Sequence, residues 1–172
     1  MARAVQLITG VLVPALCADA ELIELCRELC DGKELRVQAG VDDRKVPGDR
    51  DCPCIVLLPG GWAPVTEVVE EAAGYRRPQV IVEVRVLDDR YAEERQGDQD
   101  GEGGAVVRTY KAPGIAEQLA DAAEKTVLAA LEEAGVDSYG ITEVVEAETF
   151  FPLVFVRRTY TCDPREFDAN QD

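Results

Sequence analysis

The chain has 172 residues, 47% of them hydrophobic, which suits one globular domain with a sizeable core. Its formal net charge of −16 argues against a protein that grips nucleic acid or an anionic membrane, because such binding needs a basic face. The absence of histidine excludes Ser-His-Asp and Cys-His catalytic arrangements within this chain.

The N-terminal residues 1–20 combine a basic residue, an apolar stretch and a small-residue end, which is the outline of a signal peptide. Polar residues such as Gln6 interrupt that stretch, so we expect instead a first helix over residues 3–16 that packs in the domain and ends at Pro14. No apolar run in the sequence approaches the roughly 20 residues that span a bilayer, so cytoplasmic residence is the default expectation.

A second helix is predicted over residues 19–31, DAELIELCRELCD, where leucines recur at helical spacing. Asp19 is a suitable N-cap residue, and Gly32 follows at the position where a helix commonly ends. The next segment, ELRVQA at residues 34–39, predicts a short strand.

Two longer strands are predicted in the middle of the chain. The run CIVLLPGG, residues 54–61, is continuously apolar, as in a strand covered on both faces, and Gly60 and Gly61 are expected to end it. Residues 66–74, TEVVEEAAG, are consistent with one short helix between the two strands. QVIVEVRVLDD, residues 79–89, then alternates with valines on one face and predicts a half-buried strand.

Residues 90–104, RYAEERQGDQDGEGG, carry many charges, four glycines and no hydrophobic periodicity. This composition predicts a mobile loop or the tip of a hairpin. The segment AVVRTYK, residues 105–111, is then either the returning strand of that hairpin or an ordered loop.

The last third of the chain predicts one long helix and two strands. Pro113 and Gly114 open the helix, and Gly135 suits the left-handed residue that ends it. The segments 141–148 and 150–162 follow as strands.

This order of elements predicts a single α+β domain over residues 1–167, with the mobile loop 90–104 within it and a flexible tail at 168–172. The expected architecture is a twisted, mixed and mainly antiparallel sheet with helices packed on one side.

Four of the six cysteines form two closely spaced pairs. Cys26 and Cys30 are four residues apart on one face of a predicted helix, and Cys52 and Cys54 are two residues apart at the start of a strand. Four thiolates in two pairs suit zinc, so one alternative is a small cytosolic metal-binding or thiol protein that uses them. Neither pair has the turn-borne C-x₂₋₄-C spacing of a zinc ribbon, so burial as small apolar residues is the favoured interpretation.

The search for other chemistry assigns no catalytic, cofactor-binding or metal-binding residue. Adjacent acids such as Glu70 and Glu71 are typical of solvated faces, and the glycine clusters match no phosphate-binding loop. The pair Arg157 and Arg158 is compatible with partner contacts or with charges that protect a strand edge. We therefore expect a protein that works through contacts and is not an enzyme.

The order and character of these elements resemble a known family. The strand entered through proline in DCPCIVLL is followed by the long strand QVIVEVRVLDD and a variable charged loop. An alanine-rich helix then opens at PGIAEQL, and the last strand begins with an aromatic-proline pair in FFPLVFVRRTYTCDPREF. Over residues 20–167 this arrangement resembles the tail terminator, or tail-completion, proteins of long-tailed bacteriophages and prophages.

The resemblance implies an assembly role without catalysis or a cofactor. Such proteins form a homohexameric ring that caps the tail tube and joins it to the head, so the implied partners are other copies, the tail tube and head-completion proteins. The implied location is the cytoplasm during assembly and then the virion. A head–tail connector or another tail subunit is an alternative. The acidic charge would keep DNA sliding through a lumen, or would only keep the free subunit soluble.

Two segments are predicted to form the contacts between subunits, because a closed ring needs two different complementary patches on each copy. They are the strand 80–87 and the loop 90–104. The residues assigned to this interface are Val80, Val82, Val84, Glu93, Glu94, Arg95, Asp98, Asp100 and Glu102.

Overall fold

The computed structural model describes residues 2–40, 50–64, 76–96, 106–146 and 152–163. They form an α+β domain in which helices cover one face of a five-stranded mixed sheet, and a two-stranded hairpin forms a second, separate sheet. The predicted fold class is therefore confirmed. The predicted helix at 66–74 and the tail at 168–172 lie outside the described residues.

The chain begins with the helices α1, Ala2–Leu7, and α2, Val13–Ala18, joined by a π-helical segment at Ile8–Leu12. The prediction that Pro14 ends the first helix is wrong. Pro14 lies in the first turn of α2, where a missing backbone N–H costs little because the α-helical pattern restarts there after the π turn. Large side chains from this stretch lie in the core, among them Leu7, Ile8, Leu12 and Leu16.

The helix α3, Ala20–Leu29, confirms the prediction for residues 19–31. The long helix α4, Lys111–Glu133, begins just before the predicted proline and ends before Gly135, whose φ of +69° is left-handed as expected. α4 packs across the sheet with a stripe of small and aliphatic side chains, which include Ile115, Ala116, Leu119, Ala123, Val127 and Leu131.

Asp19 connects the two helices and caps α3. Its Oδ1 accepts a hydrogen bond of 2.9 Å from the backbone N–H of Leu22, and its Oδ2 accepts one from the Thr126 hydroxyl of α4. Burial alone would raise the pKa of Asp19, but these two donors and the backbone N–H of Glu21 lower it below its usual value. The N-cap prediction is confirmed, and the same carboxylate also fixes α3 against α4.

The strands follow the order β1-β2-β3-β7-β6 in the main sheet, and β4 pairs with β5 in the hairpin. β1 and β2 are parallel, and the other neighbours are antiparallel. The bounds are β1 Arg36–Ala39, β2 Cys54–Pro64, β3 Arg76–Leu87, β4 Tyr91–Gln96, β5 Val106–Tyr110, β6 Ser138–Glu146 and β7 Leu153–Cys162.

The two glycines of β2 do not end the strand as predicted. The register with β3 shifts between Pro59 and Gly61, and pairing then continues to the end of β2. Gly61 has a φ of +96°, which a side chain would oppose, and a Cβ on Gly60 would lie 3.0 Å from the Gln79 Cβ atom. The glycines therefore form a bulge that bends the strand and lets it continue.

The core lies between the sheet and the helices. Alternate residues of the three central strands face it, among them Ile55, Leu57, Val80, Val82, Val84, Val154, Val156 and Tyr160. A second, smaller buried cluster occupies the opposite face and contains Cys52, Cys54, Val56 and Leu153. We call these two sides of the sheet the helix face and the outer face.

Candidate functional site

The three valines assigned to a subunit interface lie in the core instead. β3 is the middle strand of the sheet, between β2 and β7, and Val80, Val82 and Val84 face the helices with at most 3% of their surface exposed. The prediction is wrong for these three residues. Alternation showed that β3 has an apolar face but not that helices of the same chain cover it.

The other predicted interface residues fall in or beyond the hairpin. Glu93, Glu94 and Arg95 lie on β4, which pairs with β5 across the predicted loop. Asp98, Asp100 and Glu102 lie outside the described residues. Part of the predicted loop 90–104 is therefore a strand. Of the two alternatives for residues 105–111, a returning strand or an ordered loop, the structure shows the strand.

The base of the hairpin is fixed by Arg90, which lies between β3 and β4. Its guanidinium group donates to Asp88, with an Nε–Oδ1 distance of 2.9 Å, and also contacts Asp31 after α3. The backbone N–H of Lys111 donates to the Arg90 carbonyl oxygen at 3.0 Å. The Arg90 contact holds the pKa of Asp88 below its usual value. The described part of the hairpin therefore begins from an ion-paired base.

Beyond this base, the hairpin packs extensively against no other element that the structure describes. A lone two-stranded hairpin is only marginally stable in water. A cleft of about 280 Å³ lies beside the base and is lined by Cys30, Lys33, Asp88 and Arg90.

The exposed edge formed by β6 was not predicted from the sequence. This strand ends the main sheet, and Thr142, Glu143, Val144 and Val145 are all exposed. The two valines are each 43% exposed, which is unusual for large apolar residues in this chain. The sequence TEVVE gave no signal of this position, because it lacks the lysine or proline that commonly protects an edge strand.

The two cysteine pairs lie on opposite faces of the sheet. Cys26 and Cys30 belong to the helix-face core, whereas Cys52 and Cys54 belong to the outer-face cluster. The fold therefore does not bring the four thiols into one site. Among the residues that the structure describes, no three His, Cys, Asp or Glu side chains are grouped to hold a metal ion.

The Cys26 thiol donates to the Lys33 carbonyl oxygen at 3.9 Å. Within the pair, interaction with the neighbouring thiol raises the pKa of Cys26 and lowers the pKa of Cys30. Cys52 and Cys54 behave in the same way. Their burial, at most 6% exposed, matches the interpretation of these residues as small apolar side chains.

Arg157 and Arg158 bind carboxylates of their own chain, and they do not protect a strand edge. β7 is an interior strand, and the two side chains point to opposite faces. On the outer face, Arg157 Nε donates to Glu83 Oε2 at 2.8 Å, and its guanidinium carbon lies 5.7 Å from the Phe155 ring centroid. Arg85 donates to the other oxygen of Glu83 at 2.5 Å.

On the helix face, Arg158 joins three elements. Its guanidinium group contacts Glu124 of α4 at 2.9 Å and Asp121 of the same helix at 2.5 Å. Its Nε donates to Glu143 of β6 at 2.7 Å. The acid-rich surface of α4 is thus used in part to hold the helix on the sheet.

Among the described residues, no single helix is long and apolar enough to cross a membrane. The helical segments Arg3–Ala18 and Ala20–Leu29, bent by 62° to each other, are together long and apolar enough, by length and composition alone. Comparison of the chain with protein-family models and with curated proteins finds no match.

Proposed function

We propose that this chain is a structural protein that assembles into an oligomeric ring, in the manner of a tail terminator that caps a phage tail tube and joins it to the head. The observation that carries the proposal is the hairpin of β4 and β5, which forms its own sheet and packs extensively on no other described element. A hairpin of this kind gains stability when it packs on another molecule.

Two further features support a role through docking. Each copy presents two different surfaces, the hairpin and the exposed edge of β6, as a head-to-tail ring requires. The charge of −16 suits a ring through which DNA passes without adhering, because like charges repel. A head–tail connector or another tail subunit of the same particle would use these features in the same way.

The test is the size of the purified protein in solution. Mass photometry and negative-stain electron microscopy should show closed rings whose mass is a multiple of 18.8 kDa, with six copies as the expected number. A chain that stays monomeric at millimolar concentration would overturn the proposal.

A deletion variant tests the part played by the hairpin. Removal of residues 96–103 should leave the monomer folded, because it removes no side chain of the described core, and should abolish ring formation. Circular dichroism checks the fold, and unchanged particle size would count against the hairpin as a contact element.

The cysteine pairs supply the competing function. Elemental analysis of the same preparation separates the two, because one zinc per chain that is lost with Cys52→Ser would favour a metal-binding protein. A metal-free chain that forms rings would favour assembly.

A further inference from the structure

The strand β6 has the properties of a docking edge. Among the described residues it pairs only with β7, so its other side presents unpaired backbone N–H and C=O groups. The register with β7 is irregular only between Tyr139 and Thr142, near the start of the strand. The stretch from Thr142 to Glu146 is regular and is therefore able to accept another strand.

The hairpin supplies a strand that fits this edge. β4 and β5 pair only with each other among the described residues, so each has one open side. The sequence of β5, VVRTY, contains one basic residue, Arg108, and no acid, whereas TEVVE of β6 contains no base and two acids, of which Glu143 already binds Arg158 of β7. The sequence of β4, YAEERQ, carries two acids and fits the acidic edge less well.

The occupant of the β6 edge is therefore most simply a second copy of this chain. β5 and β6 belong to different sheets within one copy and do not pair with each other among the described residues, so a β5–β6 pair would join two copies. Both strands are rich in β-branched residues, which favours pairing.

We propose that β5 of one copy adds to β6 of the next copy and extends its five-stranded sheet by the two strands of the hairpin. This inference rests on the proposed ring and names the surfaces that close it. Because the donor and acceptor surfaces differ, every copy both gives a hairpin and receives one. Such head-to-tail contacts close into a ring when the rotation between copies permits.

The experiment combines charge changes on the two strands. Val145→Lys places a cation on the acceptor edge opposite a basic strand, and Arg108→Glu places an acid on the donor strand. Each alone should raise the protein concentration needed for assembly about tenfold, because like charges then meet across the interface. The double variant restores opposite charges and should recover most of the assembly.

Two control variants separate this charge effect from a non-specific effect of substituting an exposed valine. Val5→Lys changes a valine on α1 that is 44% exposed, nearly the same as the 43% of Val145, and should leave assembly unchanged. Val145→Glu removes the same side chain but keeps a charge complementary to β5, so it should assemble better than Val145→Lys. Thermal melting establishes that every variant is folded.

The outcomes distinguish this inference from the proposed function. Rings that persist in Val145→Lys, or a double variant no better than either single one, would overturn the β5–β6 contact and leave the ring intact. A wild-type chain that never assembles would overturn both. Loss in each single variant with recovery in the double variant would support the contact.

Discussion

The clusters around Arg157 and Arg158 solve the same problem in opposite ways. On the outer face the buried charge is an acid: Glu83 is 1% exposed, and its partners Arg85 and Arg157 are 16% and 37% exposed. On the helix face the buried charge is a base: Arg158 is 10% exposed, whereas Glu124 and Glu143 are 28% and 42% exposed. The loss of unfolding free energy on breaking an ion pair therefore depends on which partner is buried, because a buried charge cannot be hydrated again.

The largest effect is expected when the buried acid loses its partners. The double variant Arg85→Met and Arg157→Met leaves the Glu83 carboxylate without a cation in a water-poor site, which should cost about 3–5 kcal/mol of unfolding free energy. Urea denaturation at neutral pH measures it.

The matched control for that variant removes the acid as well. Adding Glu83→Leu should recover most of the lost unfolding free energy, because the three positions are then all apolar and leave no buried charge without a partner. If the double variant loses less than about 1 kcal/mol, burial of Glu83 is not the source of the cost.

A smaller effect is expected when the buried base is removed. Arg158→Met frees carboxylates that are already partly hydrated, so the loss should be about 1–2 kcal/mol, mainly from hydrogen bonds between α4, β6 and β7. The same urea titration measures it. A loss as large as that of the outer-face double variant would contradict the difference drawn between the two faces.

The smallest effect belongs to Asp88, whose partner Arg90 is well exposed. The pKa of Asp88 is lower in the folded chain than its usual 3.8, so its stabilising contribution is fully present above that pH and is lost as the pH falls through the folded value. We expect Asp88→Asn to lower the unfolding free energy by roughly 1 kcal/mol at pH 6.

The pH dependence provides the check on that prediction. The difference in unfolding free energy between wild type and Asp88→Asn, measured by urea denaturation, should shrink as the pH falls below 3.8. A difference that stays constant over this range would show that the charge of Asp88 is not responsible.

Most elements could be predicted because their signals are local. The alternation in 79–89 and the apolar stripe of α4 depend only on spacing within a few turns or residues. The order of strands could not be predicted in this way. Glu83 looked solvent-facing in the sequence, and only its pairing with Arg157, 74 residues later, explains its burial.

The two candidate interaction surfaces also differ in whether the sequence carries a local signal for them. The hairpin was partly anticipated, because charge and glycine content marked 90–104 as a connection between structural elements. The edge position of β6 was not, since the sequence of Val144 and Val145 fits an interior strand equally well. Which strand ends a sheet depends on long-range pairing, so it became visible only in the fold.

The position of β7 has a consequence for synthesis of the chain. It is the last strand along the described sequence, yet it fills the gap between β3 and β6. While the ribosome is still making residues before Leu153, the nascent polypeptide holds β3 with an unfilled side, and the hydrophobic interior stays open. Termination of translation before Leu153 should therefore yield fragments with exposed apolar surface, which chaperones or proteases must remove.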